Sequence, residues 1–517
     1  MNTTLSEDRI PLSEDRIPVI VGVADLADRP ARPQDGREPI ALMEDALRAA
    51  DADAGAGLLA DLDALYLVCE VSWLYDQPER LLAQRLGVAP RTLVYGPVGG
   101  ETPIRFLHES ALAIARGECR VAAVVGAESQ YSVNKARTAG VELPWTPQGT
   151  AAAPARSRDK QHPLSAALGI AQPITVYPLY ENAAPRAWGQ TPAQSRAESA
   201  RIWSTFSQVA ADTPSAWGRQ AFAPDEVGQP SADNRLIAWP YTKRMVANPA
   251  VNQGAAVILT SLARARRMGI DPSRCIRVLG GAAANEADDF LQRDDFLGTA
   301  SQQVVLETAG ALAARSGAVD AIELYSCFPI VPKMAMRVLG LAPQTPLTTI
   351  GGLSFFGAPL NNYMTHATCG MVRRLRAHPR QQALLYGQGG LATKHHALVL
   401  AGGLNERAAD ATDLRADYSV QAAADARRGP VPALNAGYEG PAEIETFTIL
   451  YDRSGQPASA AVIGRNPAGE RVLARIDGSD ADALARLVDD EVWPTGAAGI
   501  VSQTPDGVPA WRFAPSP

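Results

Sequence analysis

The chain has 517 residues, 46% hydrophobic and 20% charged, with 48 Lys and Arg against 55 Asp and Glu for a net charge of -7. That composition can bury large cores in two or three domains, and the negative balance argues against sequence-independent nucleic-acid binding, which needs a concentrated positive surface. No run approaches the ~20 apolar residues that cross a bilayer, and the five widely spaced cysteines include no Cys-x-x-Cys pair, which points to neither a disulfide framework nor a metal site.

The N-terminus lacks the basic region and apolar stretch of a signal peptide, so a cytoplasmic location is the expectation. The heptapeptide Leu-Ser-Glu-Asp-Arg-Ile-Pro over 5–11 is repeated at once over 12–18, a local duplication in a flexible arm covering 1–17. From Pro18 the pattern is α/β: a strand over 19–23, a helix over 39–50 and a strand over 62–68. A Gly- and Pro-containing stretch over 93–104 leads into a helix ending at Arg116, then a strand over 120–129. Residues 130–240 form an excursion rich in Pro, Trp, Gln and Ser, with helices expected over 191–208 and 215–221. Its aromatic residues Trp203, Phe206, Trp217 and Trp239 either line an apolar pocket or belong to the core. A second α/β half opens with a strand over 275–280, continues with helices over 297–316 and 331–339, and ends with strands over 383–386 and 397–400. After a connector through Pro430, alternation by two over 444–455 and 459–475 predicts a small β domain, with hairpin turns at 452–455 and 466–469.

The chemistry concentrates in the second half. An apolar run over 318–324 stops at Tyr325, Ser326 and Cys327, which sets a phenol, a hydroxyl and a thiol at the carboxyl edge of a sheet, where ligands bind in open α/β folds. Two glycine-rich segments, 351–363 and 384–396, are either ordinary tight turns or backbone walls of a pocket around that edge. No P-loop or dinucleotide fingerprint is present, since the glycines over 387–390 are too short a run for one.

These segments resemble the thiolase superfamily, in particular the sterol-carrier-protein-2-type thiolases and thiolase-like proteins of type 1. The family's His-Asp-Cys-Phe, Gly-His-Pro and Cys-x-Gly motifs fall on Tyr325 to Phe328, on Gly357, Ala358 and Pro359, and on Tyr386, Gly387 and Gln388. The nucleophilic Cys-x-Ser falls on Gly100, Glu101 and Thr102, and the segment 239–259 resembles the family's return to its core. The resemblance covers roughly residues 17–410. It implies a thiolase fold of two similar α/β halves, layered α-β-α-β-α, over 18–274 and 275–429, and an additional OB-like β domain over 430–517. It further implies Tyr325, Cys327, Tyr386 and His366 as catalytic candidates, His366 replacing the missing imidazole, and Gly100, Gly352, Gly357, Ala358 and Gly389 as substrate-binding positions. Lys394, His395 and His396 are candidate cations to assist Tyr386. Glu101 is either a carboxylate serving the site or a helix-start acid offsetting the macrodipole.

With glycine at position 100 no thioester can form there, so the resemblance implies acyl transfer or carbon-carbon bond chemistry on acyl-CoA thioesters without the usual nucleophile. The alternative is a catalytically weak acyl-CoA-binding protein. Coenzyme A enters only as part of the substrate, with no separate cofactor and no metal. The expected partners exclude nucleic acid and membranes, and the expected assembly is a homodimer or a monomer.

Overall fold

Alternate residues of the first strand point into different cores. Val19 and Val21 pack under the helix Pro39–Ala54, while Ile20 and Val23 face the interior. The structure, a computed structural model, describes residues 12–150, 152–408, 412–414 and 417–514. In chain order, β1 (Pro18–Ala27), β2 (Ala64–Leu67), β3 (Thr92–Tyr95) and β4 (Val121–Ser129) build the first half, then the short β5 (Leu236–Ala238) and β6 (Tyr241–Thr242) precede β7 (Asn252–Ser261). The second half contains β8 (Ile276–Asn285), β9 (Ala321–Leu324), β10 (Gln382–Gly389) and β11 (Lys394–Ala401).

Strands of both halves form one sheet in the order β3-β2-β4-β7-β1-β8-β11-β10-β9, joined at the middle by a short pairing of Val19 and Ile20 with Arg277 and Ile276. Within each half the last strand is antiparallel to its neighbours, so the order runs outward in the same way on both sides of the join. Helix Pro39–Ala54 covers the outer face of the first half and helix Ala300–Ala314 that of the second. Helices Thr102–Arg116 and Tyr363–Ala377 touch strands of both halves and form the central layer. The result is the layered α-β-α-β-α arrangement. Its consequence for function is that the carboxyl ends of β9 and β10 open next to the N-terminus of a central helix.

The alternation by two in the last eighty residues folds as read. Strands β12 (Gly440–Tyr451), β13 (Pro457–Arg465), β14 (Arg471–Asp477), β15 (Ala498–Ser502) and β16 (Ala510–Phe513) follow, with turns closed by Gly455 N–H to Asp452 O (3.1 Å) and Gly469 N–H to Asn466 O (2.9 Å). Because β12 pairs with β13 along one part and β15 along the other, the strands close a small barrel, and β5 adds to its β12 edge. Ala460 and Val462 fill the barrel, whereas Ala461 and Ile463 of the same strand join the main core. Both faces of β13 are therefore buried, and the barrel is packed onto the body.

An arginine secures that contact. Arg471 is fully buried, donates to both carboxylate oxygens of Glu445 (2.7 and 2.9 Å), and donates to the carbonyls of Leu291 (2.6 Å) and Arg293 (2.8 Å) on the body.

Two segments depart from what the sequence leads one to expect. Residues 215–221 are not helical, because Trp217 N–H and Gly218 N–H bond the carbonyls of Phe356 (2.6 Å) and Phe355 (2.8 Å) instead of their own chain. The first copy of the duplicated heptapeptide lies outside the described residues, but the second is held: Glu14 pairs with Arg266, Asp15 with Arg267, and Arg16 donates to Ala115 O.

Removing one partner of a buried, hydrogen-bonded ion pair strands the other, which costs about 3–5 kcal/mol. Arg471→Met is therefore expected to lower the unfolding free energy by that amount in urea melts, and a midpoint equal to the parent's contradicts the docking role.

Candidate active site

A cavity of about 450 Å³ opens at the carboxyl ends of β9 and β10. Its floor is made by Tyr325 and Cys327 after β9, Gln388 and Gly389 at the end of β10, and Gly99 and Gly100 before helix Thr102–Arg116. Leu353, Ala358 and Asn361 form one wall, and Arg156, Arg158 and Tyr177 of the excursion form the other. Asn361 ties the floor together: its Oδ1 accepts from Gly99 N–H (2.9 Å) while its Nδ2 donates to Cys69 O (2.8 Å).

The contact at Gly100 decides what the floor can hold. A Cβ there would stand 2.3 Å from the Tyr325 hydroxyl oxygen and 2.5 Å from Gln388 O, so no side chain coexists with this tyrosine and this strand end. Tyr325 fills the space that a side chain at 100 would need. Its hydroxyl makes no hydrogen bond among the described residues and faces the cavity, and burial, with Cys327 and Glu101 nearby, raises its pKa well above the usual phenol value. Burial also pushes the Cys327 thiol up to about 12, although a bond with the Tyr177 hydroxyl opposes the shift. The sulfur stays protonated at neutral pH and is a poor nucleophile.

Tyr177 was not singled out from the sequence. It stacks on Phe328 at 4.7 Å, and its hydroxyl accepts from Gln388 Nε2 (2.6 Å) and Ala392 N–H (3.0 Å), joining the excursion to the 389–392 loop. Gln388 was legible in principle, since strand alternation puts it on the face of Tyr386. Asn361, Arg156 and Arg158 carried no local signal that separates them from loop residues.

Of the residues anticipated for the site, Tyr325, Cys327, Gly100, Ala358 and Gly389 line the cavity, and four others do not. Tyr386 lies deeper behind Gln388. His395 Nε2 meets the acceptor Ala392 O (3.1 Å), so it carries the proton and leaves Nδ1 to accept from the Tyr386 hydroxyl (2.7 Å), to which Gln302 Nε2 also donates (3.0 Å). The phenol is thus committed to a buried network. Nor is His395 a cation for it, because burial and then Arg293 press its pKa down to about 3. His396 pairs with His108 (3.0 Å), and Lys394 Nζ donates to Val98 O (2.8 Å). His366 is fully buried, edge-on to Phe356, with Nδ1 3.9 Å from Asp25 Oδ2. Gly352 and Gly357 face Phe206 and the Gln253 side chain, and their neighbours Leu353 and Ala358 meet the cavity instead. Trp203, Phe206, Trp217 and Trp239 do not line the cavity either. Trp203 and Phe206 stack on each other in the core at 5.1 Å.

Residues 420–506 match the family model of the thiolase-like protein type 1 additional C-terminal domain. A monomeric SCP2-thiolase-like protein type 1 from Mycobacterium smegmatis superposes with a TM-score of 0.79 at 28% identity, covering 97% of this chain and 99% of that one. The chain has the thiolase fold with the type 1 C-terminal domain. Two more distant structures share the fold with this thiolase-like chain. The Ltp2-ChsH2(DUF35) aldolase is 17% identical with a TM-score of 0.56, covering 76% of this chain and 99% of that one. Human mitochondrial 3-ketoacyl-CoA thiolase in complex with CoA is 15% identical with a TM-score of 0.53, covering 76% and 100%. No curated protein matches the thiolase-like chain by sequence. Among the described residues no helix is long and apolar enough to cross a membrane.

Two expectations follow. Gly100→Ala forces a methyl against backbone and phenol, and is expected to cost about 1–3 kcal/mol of stability in urea melts; an unchanged midpoint contradicts the packing at this point. Burial lowers His108 to about 4 and His395 to about 3, and drives His396, beside His108, well below its ordinary value. Each folded pKa lies under the unfolded value of about 6.5, so each ring adds stability that is full above about pH 6.5 and falls as pH drops toward the folded pKa. Nitrogen NMR of the imidazoles should find all three neutral at about pH 5.5, and protonated rings there contradict their burial.

Proposed function

We propose that this chain binds acyl-CoA thioesters in the cavity and makes or breaks a carbon-carbon bond beside the thioester, of Claisen or aldol type, with no acyl-enzyme on the chain. The observation that carries the reading is the Gly100 contact: the Tyr325 hydroxyl occupies the space of the missing side chain and faces the cavity with its hydrogen-bonding capacity unspent. A thioester carbonyl developing negative charge needs donors aimed at its oxygen, and the Tyr325 hydroxyl is a suitable one. Cys327, protonated up to about 12, would be a weak carrier of an acyl group. Arg156 and Arg158, exposed at the cavity wall, suit the phosphates of coenzyme A, in a protein whose overall charge is negative.

The names of the structural relatives fit this reading, since one is an aldolase and another was captured with CoA. Coenzyme A is substrate here, and no further cofactor is required by it. The monomeric state named for the Mycobacterium smegmatis relative is proposed for this chain as well.

A second reading has its own support. With Tyr325 held far above the usual phenol pKa and Cys327 neutral, the tyrosine and thiol of the cavity floor include no strong base, which fits a catalytically weak acyl-CoA-binding protein.

Purified protein incubated with a panel of acyl-CoA, 3-hydroxyacyl-CoA and 3-ketoacyl-CoA thioesters separates the two by mass spectrometry of products and of intact protein. The primary reading expects product without a covalent adduct, and a loss of about 100-fold or more in Tyr325→Phe. Saturable binding with no product favours the second reading, and a stable adduct on Cys327 contradicts both.

A further inference from the structure

We propose that Glu101 is the acid-base group serving this cavity, holding the proton that moves at the bound acyl group and exchanging it through Tyr325. The proposal rests on the thioester reading above and deepens it.

Glu101 ends the loop before helix Thr102–Arg116, and its carboxyl turns under the glycine floor. A Cβ at Gly389 would stand 1.9 Å from Glu101 Oε2, and one at Gly99 would stand 2.4 Å from Oε2 and 2.6 Å from Oε1. Two cavity-lining glycines thus lie directly against this carboxyl. The Tyr325 hydroxyl stands against Gly100, the residue before Glu101, and its pKa is raised in part by that carboxyl.

A helix-start acid that offsets the macrodipole turns its oxygens onto the free N–H groups of the first turn. Glu101 makes no such side-chain cap, and its Oε2 is buried with no hydrogen-bond partner among the described residues. Leaving a buried carboxyl oxygen unpaired costs on the order of 1–3 kcal/mol or more. A buried carboxyl left in this state calls for a reason, and acid-base chemistry at the adjoining cavity supplies one.

The charged and titratable groups around it are Lys394 on β11, Arg105 one turn along its own helix, and Tyr325 after β9. Burial raises the carboxyl's pKa above the ordinary range, against the lowering pull of Lys394 and Arg105. The shift is toward neutrality, where a general acid-base group works best.

For a 3-hydroxyacyl thioester the proposed step balances as follows. A water bridging the two carries the phenolic proton of Tyr325 to the Glu101 carboxylate, and Tyr325 takes the proton of the substrate hydroxyl. The C2–C3 bond breaks, its electron pair moves into the thioester as an enolate, and C3 leaves as a carbonyl. The relay then runs backward: Glu101 returns its proton to Tyr325, and the phenol delivers one to C2.

The last step can be read without carbon-carbon chemistry. In deuterated water the full-length protein is expected to exchange the α-hydrogens of acetyl-CoA, followed by mass. Glu101→Gln keeps the shape and is expected to lose about 100-fold in exchange rate while retaining acetyl-CoA binding. Wild-type exchange in this variant overturns the proposal, and so does an absence of exchange by the parent. Exchange without any carbon-carbon product from the panel supports Glu101 and removes the bond-making reading, so the two failures are distinct. If Glu101→Gln does not fold, the pH profile of parental exchange decides. A rate controlled by one ionisation above the ordinary Glu value of about 4.3 supports the proposal, and a flat profile from about pH 5 to about pH 9 overturns it.

Discussion

Helix Thr102–Arg116 begins against the ends of β9 and β10 at a distance too short for any Cβ, and the cavity follows from that close approach. At Gly100 the space belongs to the Tyr325 hydroxyl and the Gln388 carbonyl, and at Gly389 it belongs to the Glu101 carboxyl. A nucleophilic side chain at 100 and a tyrosine at 325 are therefore mutually exclusive in this backbone. Burial is also the leading cause of the raised pKa of Tyr325, Glu101 and Cys327. A tight polar floor without a ready nucleophile suits proton transfer and hydrogen bonding to a developing oxyanion better than covalent capture.

The C-terminal barrel is linked to that floor by a short chain of contacts. Arg471 of the barrel bonds the carbonyl of Arg293 (2.8 Å), the Arg293 side chain bonds the carbonyls of Leu391 (3.0 Å) and Ala392, and Ala392 N–H bonds the Tyr177 hydroxyl (3.0 Å) over the cavity. Every link is buried, so the loop after Gly389 is fixed from behind by the docked barrel. This gives the additional domain a physical part in shaping the cavity.

Strand and helix placement was legible wherever local rules decide. The period of two over 444–475, the turn glycines at 455 and 469, and the apolar run ending at Tyr325 each fix structure within a few residues. The cavity was legible where it lies at such strand ends, as with Tyr325, Cys327 and Gly389, and where the motif resemblance placed Gly100 and Ala358. Tyr386 was placed correctly on β10, but its role depended on Gln302 and His395, whose side chains meet it only in the fold. His366 shows the same limit: a helix position is readable, while its neighbour Asp25 is 341 residues away in sequence. Tyr177, Asn361 and the arginines at 156 and 158 reach the cavity from segments with no periodicity to reveal direction. The 215–221 stretch failed as a helix because carbonyls of a distant loop outcompeted its own.

The central claim is that the thioester carbonyl is held non-covalently between Tyr325 and the glycine floor. A crystal structure with an acyl-CoA analogue, in which a methylene replaces the thioester sulfur, tests it most directly. The account predicts the analogue's carbonyl oxygen within hydrogen-bond reach of the Tyr325 hydroxyl, between Gly100 and Gly389, with the phosphates toward Arg156 and Arg158. An acyl carbonyl seated outside this cavity, or directed at Cys327 and away from Tyr325, would contradict it.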